Sequence, residues 1–197
     1  MGIINNYFDK VYVINLDRRK DRWEKVNKNL SDLNIEYERV SGVEARDIGL
    51  RGFEACTMSH IKVFLDAKEK GFKKILIFED DVIFNNNFYE IFSKTIDLVP
   101  SDWDMLYLGA NILEKDQALS DTLVKIKSAY AAHAYAVQDK CFDYILKILH
   151  QREPVDLTYS KIHKYMNVYS FYPAICHQEP GFSDIANMFV DYKDLIK

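Results

Sequence analysis

Short apolar runs alternate along the chain with longer stretches whose apolar residues recur at helical spacing. Runs rich in β-branched and aromatic residues predict strands, and helical spacing predicts amphipathic helices. The predicted strands cover residues 11–16, 37–40, 74–78, 104–108, 131–137 and 168–172. The predicted helices cover residues 18–33, 52–70, 88–98 and 139–151, with a further helix opening at 154–156. This alternation predicts an α/β fold.

Three further segments complete the predicted organisation. The run 74–78 is apolar throughout, which favours a central strand covered on both faces, as in a parallel sheet. Residues 114–121 are polar and predict a loop, and the chain after Pro173 predicts irregular structure with a short terminal helix. Because no repeat or linker interrupts the pattern, residues 1–197 are expected to form a single domain.

Composition narrows the class of protein. The chain of 197 residues is 48% hydrophobic and 28% charged, with 7 Gly and 4 Pro, which is typical of a folded globular domain rather than a disordered one. Its formal net charge of −4 argues against a nucleic-acid partner, which would favour a basic face.

The cysteines and the length of the apolar runs predict the cellular compartment of the protein. Cys56, Cys141 and Cys176 are widely separated and form no CxxC pair, which predicts reduced thiols rather than a disulfide framework or zinc knuckle. No signal peptide is visible, and no apolar run reaches the ~18 residues of an integral membrane segment. We therefore expect a cytoplasmic protein. Separately, the excess of Lys over Arg is typical of proteins from an AT-rich viral or bacterial genome.

Polar residues follow the first predicted strand. Asn15 ends that strand, and Arg19 and Arg22 lie in the first turns of the helix after it. Ligands of open α/β sheets bind beyond the carboxyl ends of the strands, so these arginines are suited to phosphate groups. A solvated helix face explains them equally well.

Glu79, Asp80 and Asp81 come directly after the apolar strand 74–78. Three successive carboxylates repel one another unless a cation or hydrogen-bond donors lie between them. Carboxylate oxygens suit a hard divalent cation such as Mn²⁺ or Mg²⁺ bound against a diphosphate. The alternative is a solvated charged turn.

Two candidates lie towards the end of the chain. Asp156 follows Pro154 at the predicted start of a helix, where it is either a general base or a helix cap. His177 is either a metal ligand or a hydrogen-bonded loop residue.

The predicted helix 52–70 carries Cys56, Ser59 and His60. Adjacent helical residues diverge, so Ser59 and His60 cannot form a hydrogen-bonded dyad. Cys56 lies one turn before His60, but the sequence shows no third orienting group. Covalent catalysis is therefore not expected, although Ser59 is expected to line the site.

Taken together, these segments resemble glycosyltransferase family 25, the group that includes lipopolysaccharide and procollagen galactosyltransferases. The matching segments occur in family order and span roughly residues 10 to 180. They are residues 13–16 with Arg19 and Arg22, 54–60, 77–82, 131–137, 154–156 and 173–179.

The resemblance implies a GT-A-like nucleotide-binding fold, with a central, mostly parallel twisted sheet flanked by helices. It also implies a metal-dependent, inverting transfer of a hexose from UDP-galactose or UDP-glucose to a glycan or hydroxylysine-type acceptor. On this basis Asp81, with His177 as a second candidate, would ligate Mn²⁺ (or Mg²⁺). Glu79 and Asp80 would contact the ribose or the sugar.

The remaining roles follow from the same resemblance. Asn15, Arg19 and Arg22 would flank the nucleotide, and Asp156 would be the general base. Two other functions stay open. One is a non-catalytic nucleotide-sugar or glycan-binding module that retains the fold. The other is a metal-dependent phosphate hydrolase, which would need more acidic or His ligands near Glu79 than the sequence supplies at identifiable strand ends.

Overall fold

The computed structural model describes residues 2–150 and 153–191, in which strands and helices alternate as the sequence predicts. The strands are β1 (Lys10–Asn15), β2 (Glu38–Ser41), β3 (Lys74–Glu79), β4 (Val82–Phe84), β5 (Met105–Ala118), β6 (Leu123–Gln138), β7 (Val168–Phe171), β8 (Cys176–Gln178), β9 (Gly181–Ser183) and β10 (Met188–Val190). The α-helices are α1 (Ile3–Tyr7), α2 (Lys20–Asp32), α3 (Ala45–Ile48), α4 (Gly52–Lys70), α5 (Phe88–Ile96), α6 (Phe142–Leu149) and α7 (Val155–Ile162). None of these helices has both the length and the apolar character needed to cross a membrane.

The central sheet has six strands in the order β2-β1-β3-β6-β5-β7. β1 pairs in parallel with both of its neighbours, β2 and β3. β6 runs antiparallel to its sheet neighbours, and β7 is again parallel to β5. The prediction of an α/β fold with a mostly parallel sheet flanked by helices is confirmed.

Side chains of the central strands alternate between two hydrophobic cores. Along β1, Val11 and Val13 enter the core that α2 and α5 cover, and Tyr12 and Ile14 enter the core that α4, α6 and α7 cover. β3 alternates in the same way, which explains why its sequence is apolar at every buried position.

Strand order reverses at β1. The chain passes from β1 to β2 on one side and then crosses, through α4, to β3 on the other side of β1. In open α/β sheets a crevice forms beyond the carboxyl ends of the strands at such a point. The ends of β1 and β3, where Asn15 and Glu79 lie, therefore meet at this crevice.

The helix predicted over residues 52–70 has the bounds of α4. Gly71 ends it in the left-handed conformation, with φ +72°, which favours glycine. The helix predicted at 139–151 is a short 3₁₀ turn followed by α6, and position 151 lies outside the described residues.

The loop predicted at 114–121 was wrong for residues 114–118, which belong to β5, whereas residues 119–121 lie in the turn that follows it. β5 runs on to Ala118 and pairs with β6, which begins at Leu123 rather than at 131. The far end of this ribbon is exposed, so its side chains are polar and carry no apolar alternation. The alternation of buried Val124 and Ile126 is the signal that could have revealed the start of β6.

The prediction of irregular structure after Pro173 was also wrong, because three short strands follow it. β8 pairs antiparallel with β4 and returns the chain to the end of β3, and β9 and β10 form a hairpin beyond it. Three-residue strands are too short to show alternation in the sequence. The short terminal helix predicted for the end of the chain lies outside the described residues, which end at position 191.

Candidate active site

A cavity of about 610 Å³ opens beyond the carboxyl ends of β1 and β3. This volume is within the range of small-molecule sites. Its lining includes residues of the chain from Gly42 to Leu50, the first turns of α4 and residues of the segment 183–187. Of the predicted site residues, the cavity lining includes Asn15, Arg22, Ser59, Glu79, Asp80 and Asp81.

Asp80 is held by two donors from the first strand and the helix after it. Asn15 Nδ2 donates to Asp80 Oδ2 at 2.7 Å, and Arg22 Nη1 donates to Asp80 Oδ1 at 2.8 Å. Burial nevertheless raises the pKa of Asp80, because it outweighs the positive charge of Arg22 and the two hydrogen bonds. Asp80 is thus fixed in place rather than free to turn into the cavity.

Asp81 is the least satisfied of the three carboxylates. Its Oδ2 accepts from Arg22 Nη1 at 3.3 Å, whereas its buried Oδ1 has no hydrogen-bond partner in the described part of the chain. Burial, together with the negative charge of Glu79, raises the pKa of Asp81 to about 7. A buried carboxylate oxygen without a donor is costly, and a cation is one partner that relieves this cost.

Glu79 faces α4 rather than Arg22. Its Oε1 lies 3.1 Å from His60 Nε2 and 3.9 Å from Cys56 Sγ. Burial alone would raise the pKa of Glu79, but its hydrogen bond with His60 and the nearby positive charges lower it. The ligand atoms of Cys56, His60 and Glu79 all lie within 4.8 Å of one another. Glu79 is therefore the third group beside Cys56 and His60 that the sequence did not reveal.

The arginines that follow β1 bind the segment near residues 182–184, which borders the cavity. Arg22 Nη2 donates to the carbonyl of Phe182 at 2.9 Å. Arg18 and Arg19 both bind Asp184, at 2.7 and 2.6 Å, and Arg19 also pairs with Asp21. Arg19 is not among the lining residues of the cavity. No local feature of the sequence indicated that Asp184 lies here.

Ser59 lines the cavity but uses its hydroxyl internally. Its Oγ donates to the carbonyl of Ala55 and accepts from the backbone N–H of Val43, both at 2.8 Å. Ser59 thereby fixes the chain that follows β2 against α4. Gly52 allows a second close approach, because a Cβ there would lie 3.0 Å from Ile185 Cα.

Asp156 and His177 lie outside the cavity lining. Asp156 is in the first turn of α7, where its Oδ1 accepts from the backbone N–H of Leu157 at 2.8 Å. Its charge contributes to raising the pKa of Cys56, so it lies within electrostatic reach of the cavity. His177 lies in β8 opposite Ile83, in a strand rather than the predicted loop, and burial lowers its pKa.

Together, the mostly parallel sheet, the reversal at β1 and the carboxylates at the end of β3 define a GT-A-like nucleotide-binding fold. The protein A197 from STIV shares this fold, with a TM-score of 0.50, 11% sequence identity and 92% of each chain covered. The chain belongs to glycosyltransferase family 25 (LPS biosynthesis protein), whose sequence profile matches residues 51–162.

Curated relatives match over a similar part of the chain. Procollagen galactosyltransferase 2 of Mus musculus is 26% identical over an alignment of 162 positions that covers 66% of this chain and 26% of the relative. Inactive glycosyltransferase 25 family member 3 of Homo sapiens is 28% identical over an alignment of 162 positions that covers 66% of this chain and 27% of that protein. The chain thus spans about a quarter of the length of these relatives.

Proposed function

We propose that the chain is a metal-dependent glycosyltransferase that moves galactose or glucose from a UDP-sugar to a hydroxyl acceptor, with inversion at the anomeric carbon. Family membership and the likeness to procollagen galactosyltransferase 2 support the reaction class. The same likeness favours a glycan or hydroxylysine-type hydroxyl as the acceptor. The cavity at the ends of β1 and β3 would receive the nucleotide sugar.

The observation that carries this proposal is the buried Oδ1 of Asp81 in the cavity wall, which has no hydrogen-bond partner among residues 2–150 and 153–191. A carboxylate oxygen in this position is a ligand that Mn²⁺ and Mg²⁺ favour. Asp81 would hold the ion, and a bound ion would neutralise the diphosphate and stabilise the negative charge that forms on the departing UDP. Such a cation would offset the repulsion between Asp81 and Glu79 that raises the pKa of Asp81.

The other cavity residues would orient the donor. Arg18 lines the cavity, and its guanidinium is fixed by Glu44 at 2.5 Å and by Asp184 at 2.7 Å, so it would present a fixed positive charge to a phosphate oxygen. Arg22 would set the position of both aspartates through its two contacts with them. The apolar side chains of Leu16, Val43 and Leu50 in the lining would pack against the uracil and ribose.

Asp156 would act as the general base. Its carboxylate would take the proton of the acceptor hydroxyl as the acceptor oxygen forms a bond to the anomeric carbon. The bond from that carbon to the diphosphate oxygen breaks on the opposite face, and its electron pair leaves with UDP. A base in this role contributes roughly 10²–10⁴-fold to the rate. A single displacement needs no covalent enzyme intermediate.

A second candidate is a non-catalytic module that binds a nucleotide sugar or a glycan. Two observations favour it. Arg22 already supplies a positive charge to Asp80 and Asp81, and Asp156 does not line the cavity. The likeness to a human relative named as inactive also agrees with it.

Incubation with Mn²⁺, a UDP-hexose and an acceptor separates the two candidates. The acceptors are an oligosaccharide and a hydroxylysine-containing peptide, each analysed by mass spectrometry. If the chain is a transferase, the acceptor should become heavier by the mass of one hexose. This product should not form when chelator is added or when the Asp81→Asn variant is used. Binding of the donor without any hexose transfer to either acceptor class would favour the binding module.

A further inference from the structure

We propose that Cys56, His60 and Glu79 form a second cation site in the cavity wall, and that this site takes Zn²⁺ in preference to Mn²⁺ or Mg²⁺. The site is separate from the oxygen of Asp81 that the proposed transferase would use. The proposal of a Zn²⁺ site can therefore be tested independently of the proposed function.

The geometry brings three ligand atoms to one point. Cys56 and His60 are four residues apart on α4, so both side chains project from the same face of the helix. Glu79 approaches that face as the last residue of β3. The Glu79 oxygen lies 3.1 Å from His60 Nε2 and 3.9 Å from Cys56 Sγ, and all three atoms lie within 4.8 Å of one another. These separations are close to those between the ligand atoms of a tetrahedral zinc site, so small side-chain adjustments would complete it.

The donor set selects the metal. A thiolate, an imidazole and a carboxylate are ligands that Zn²⁺ accepts together, whereas Mn²⁺ and Mg²⁺ favour oxygen donors. Three protein ligands leave a fourth position, as in zinc sites that bind water or substrate. Cys56 and Glu79 line the cavity, so this fourth position would face the bound ligand.

Two buried tyrosines orient the histidine. His60 Nδ1 lies 2.8 Å from the hydroxyl of Tyr135, and that hydroxyl lies 3.1 Å from the hydroxyl of Tyr159. All three of these residues are fully buried. Metal-bound histidines usually donate their other ring N–H to such a partner, which fixes the ring and the tautomer. Here Nδ1–H would donate to Tyr135, leaving the Nε2 lone pair for the metal.

The exchange balances in protons. Binding forms bonds from the metal to Cys56 Sγ, His60 Nε2 and one Glu79 oxygen, and it breaks the hydrogen bond between His60 and Glu79. Without a metal, Nε2–H donates to the Glu79 carboxylate, so the imidazole must change tautomer: Nε2 gives its proton to solvent, Nδ1 takes one up, and the Tyr135 hydroxyl turns to accept from Nδ1–H. The thiol S–H bond breaks, its electron pair stays on sulfur, and the proton leaves to solvent. Burial raises the pKa of Cys56 well above its usual value, so without a metal the thiol stays protonated.

Co²⁺ is the spectroscopic probe for this site. Titration of the full chain with Co²⁺ should give a near-ultraviolet thiolate-to-metal charge-transfer band, and Zn²⁺ should abolish the band by displacement. Cys56→Ser, which is nearly isosteric, should remove the band and weaken Zn²⁺ binding by at least about tenfold. Cys141→Ser is the matched control and should keep the band, since that thiol is buried beside Asp104 away from the cavity.

Two further variants separate this proposal from the transferase. Asp81→Asn should keep the charge-transfer band while losing Mn²⁺-dependent binding of a UDP-sugar. Glu79→Gln preserves side-chain volume and should weaken Zn²⁺ binding in a chain whose circular dichroism is unchanged. Absence of the band in the native chain, or its persistence in folded Cys56→Ser, would overturn the proposal whatever the Mn²⁺ result.

Discussion

Arg22 Nη1 lies 3.3 Å from Oδ2 of Asp81, while the other carboxylate oxygen of Asp81 is buried without a partner in the residues described. The same guanidinium nitrogen also pairs with Asp80. One internal positive charge therefore serves two buried carboxylates, with Glu79 adjacent as a third. The excess of negative charge at the end of β3 explains why the pKa of Asp81 is raised, and it leads to predictions for stability, binding and catalysis.

Asp81→Asn should stabilise the metal-free protein at alkaline pH. Burial and the charge of Glu79 raise the pKa of Asp81 from 3.8 to about 7. Between pH 3.8 and about pH 7, Asp81 is protonated in the folded state and ionised in the unfolded state. The free energy of unfolding therefore falls as the pH rises through this range. The variant cannot ionise, so its melting temperature should exceed that of the native chain at pH 8, by about 2–4 °C for each kcal/mol relieved.

Calorimetry or circular dichroism at pH 5 and pH 8, with chelator present, measures this effect. The difference between variant and native chain should shrink at pH 5, where Asp81 is protonated in the folded protein. An equal difference at both pH values would mean that Asp81 does not titrate in this range.

Arg22→Met should lower the free energy of unfolding strongly. The substitution leaves Asp80 and Asp81, whose side chains are only 9% and 8% exposed, without their common cation. Breaking a buried pair in this way typically costs about 3–5 kcal/mol. Lys25→Met is the matched control, because Lys25 is 62% exposed in its pair with Glu179, and such pairs contribute about 1 kcal/mol or less. Urea unfolding that gave equal losses for both variants would refute this account of Arg22.

Asp156→Asn should leave donor binding nearly unchanged and reduce hexose transfer by about 10²–10⁴-fold, since the amide cannot take the acceptor proton. Steady-state turnover together with donor affinity measures the two effects separately. Asp143→Asn, on the exposed side of α6 where Asp143 pairs with Lys68, is the control and should retain turnover. If Asp156→Asn kept its turnover, the base would lie elsewhere, with Glu179 or His177 next to be tested.

Gly109→Ala should destabilise the fold. A Cβ at this position would lie 2.0 Å from the carbonyl oxygen of Cys176 and 2.7 Å from His133 Nε2, so the backbone of β8 must move. Overpacking of this kind costs about 1–3 kcal/mol. Gly181→Ala is the control, because the nearest atom to its Cβ would be 4.0 Å away. Matching urea midpoints for the two variants would show that β5 and β8 are not packed as described.

The fold could be predicted from the sequence where burial leaves a periodic pattern. α4 and β3 are buried on the faces that their apolar residues define, and Gly71 ends α4 by a local rule. The exposed ribbon of β5 and β6 could not be separated from a loop, because its polar side chains follow no period. β8 depends on pairing with β4, about ninety positions away, which no local pattern records.

The residues of the candidate site also include some that the sequence predicts and others that it does not. The carboxylates at the end of β3 and Asn15 at the end of β1 were predicted, because strand ends in a parallel sheet meet at one edge. Asp184, which binds Arg19 from 165 positions away, had no local signal. The spacing of Cys56 and His60 was visible, but their relation to Glu79 depends on how α4 packs against β3.

Calorimetric titration with UDP, UDP-glucose and UDP-galactose, each with Mn²⁺ and with chelator, shows whether Asp81 holds a metal that binds the nucleotide sugar. Binding should require Mn²⁺ and favour one of the two sugars, and Asp81→Asn should lose both properties. Equal affinity with Mn²⁺ and with chelator, or no binding in either condition, would contradict the claim that the cavity is a metal-dependent nucleotide-sugar site.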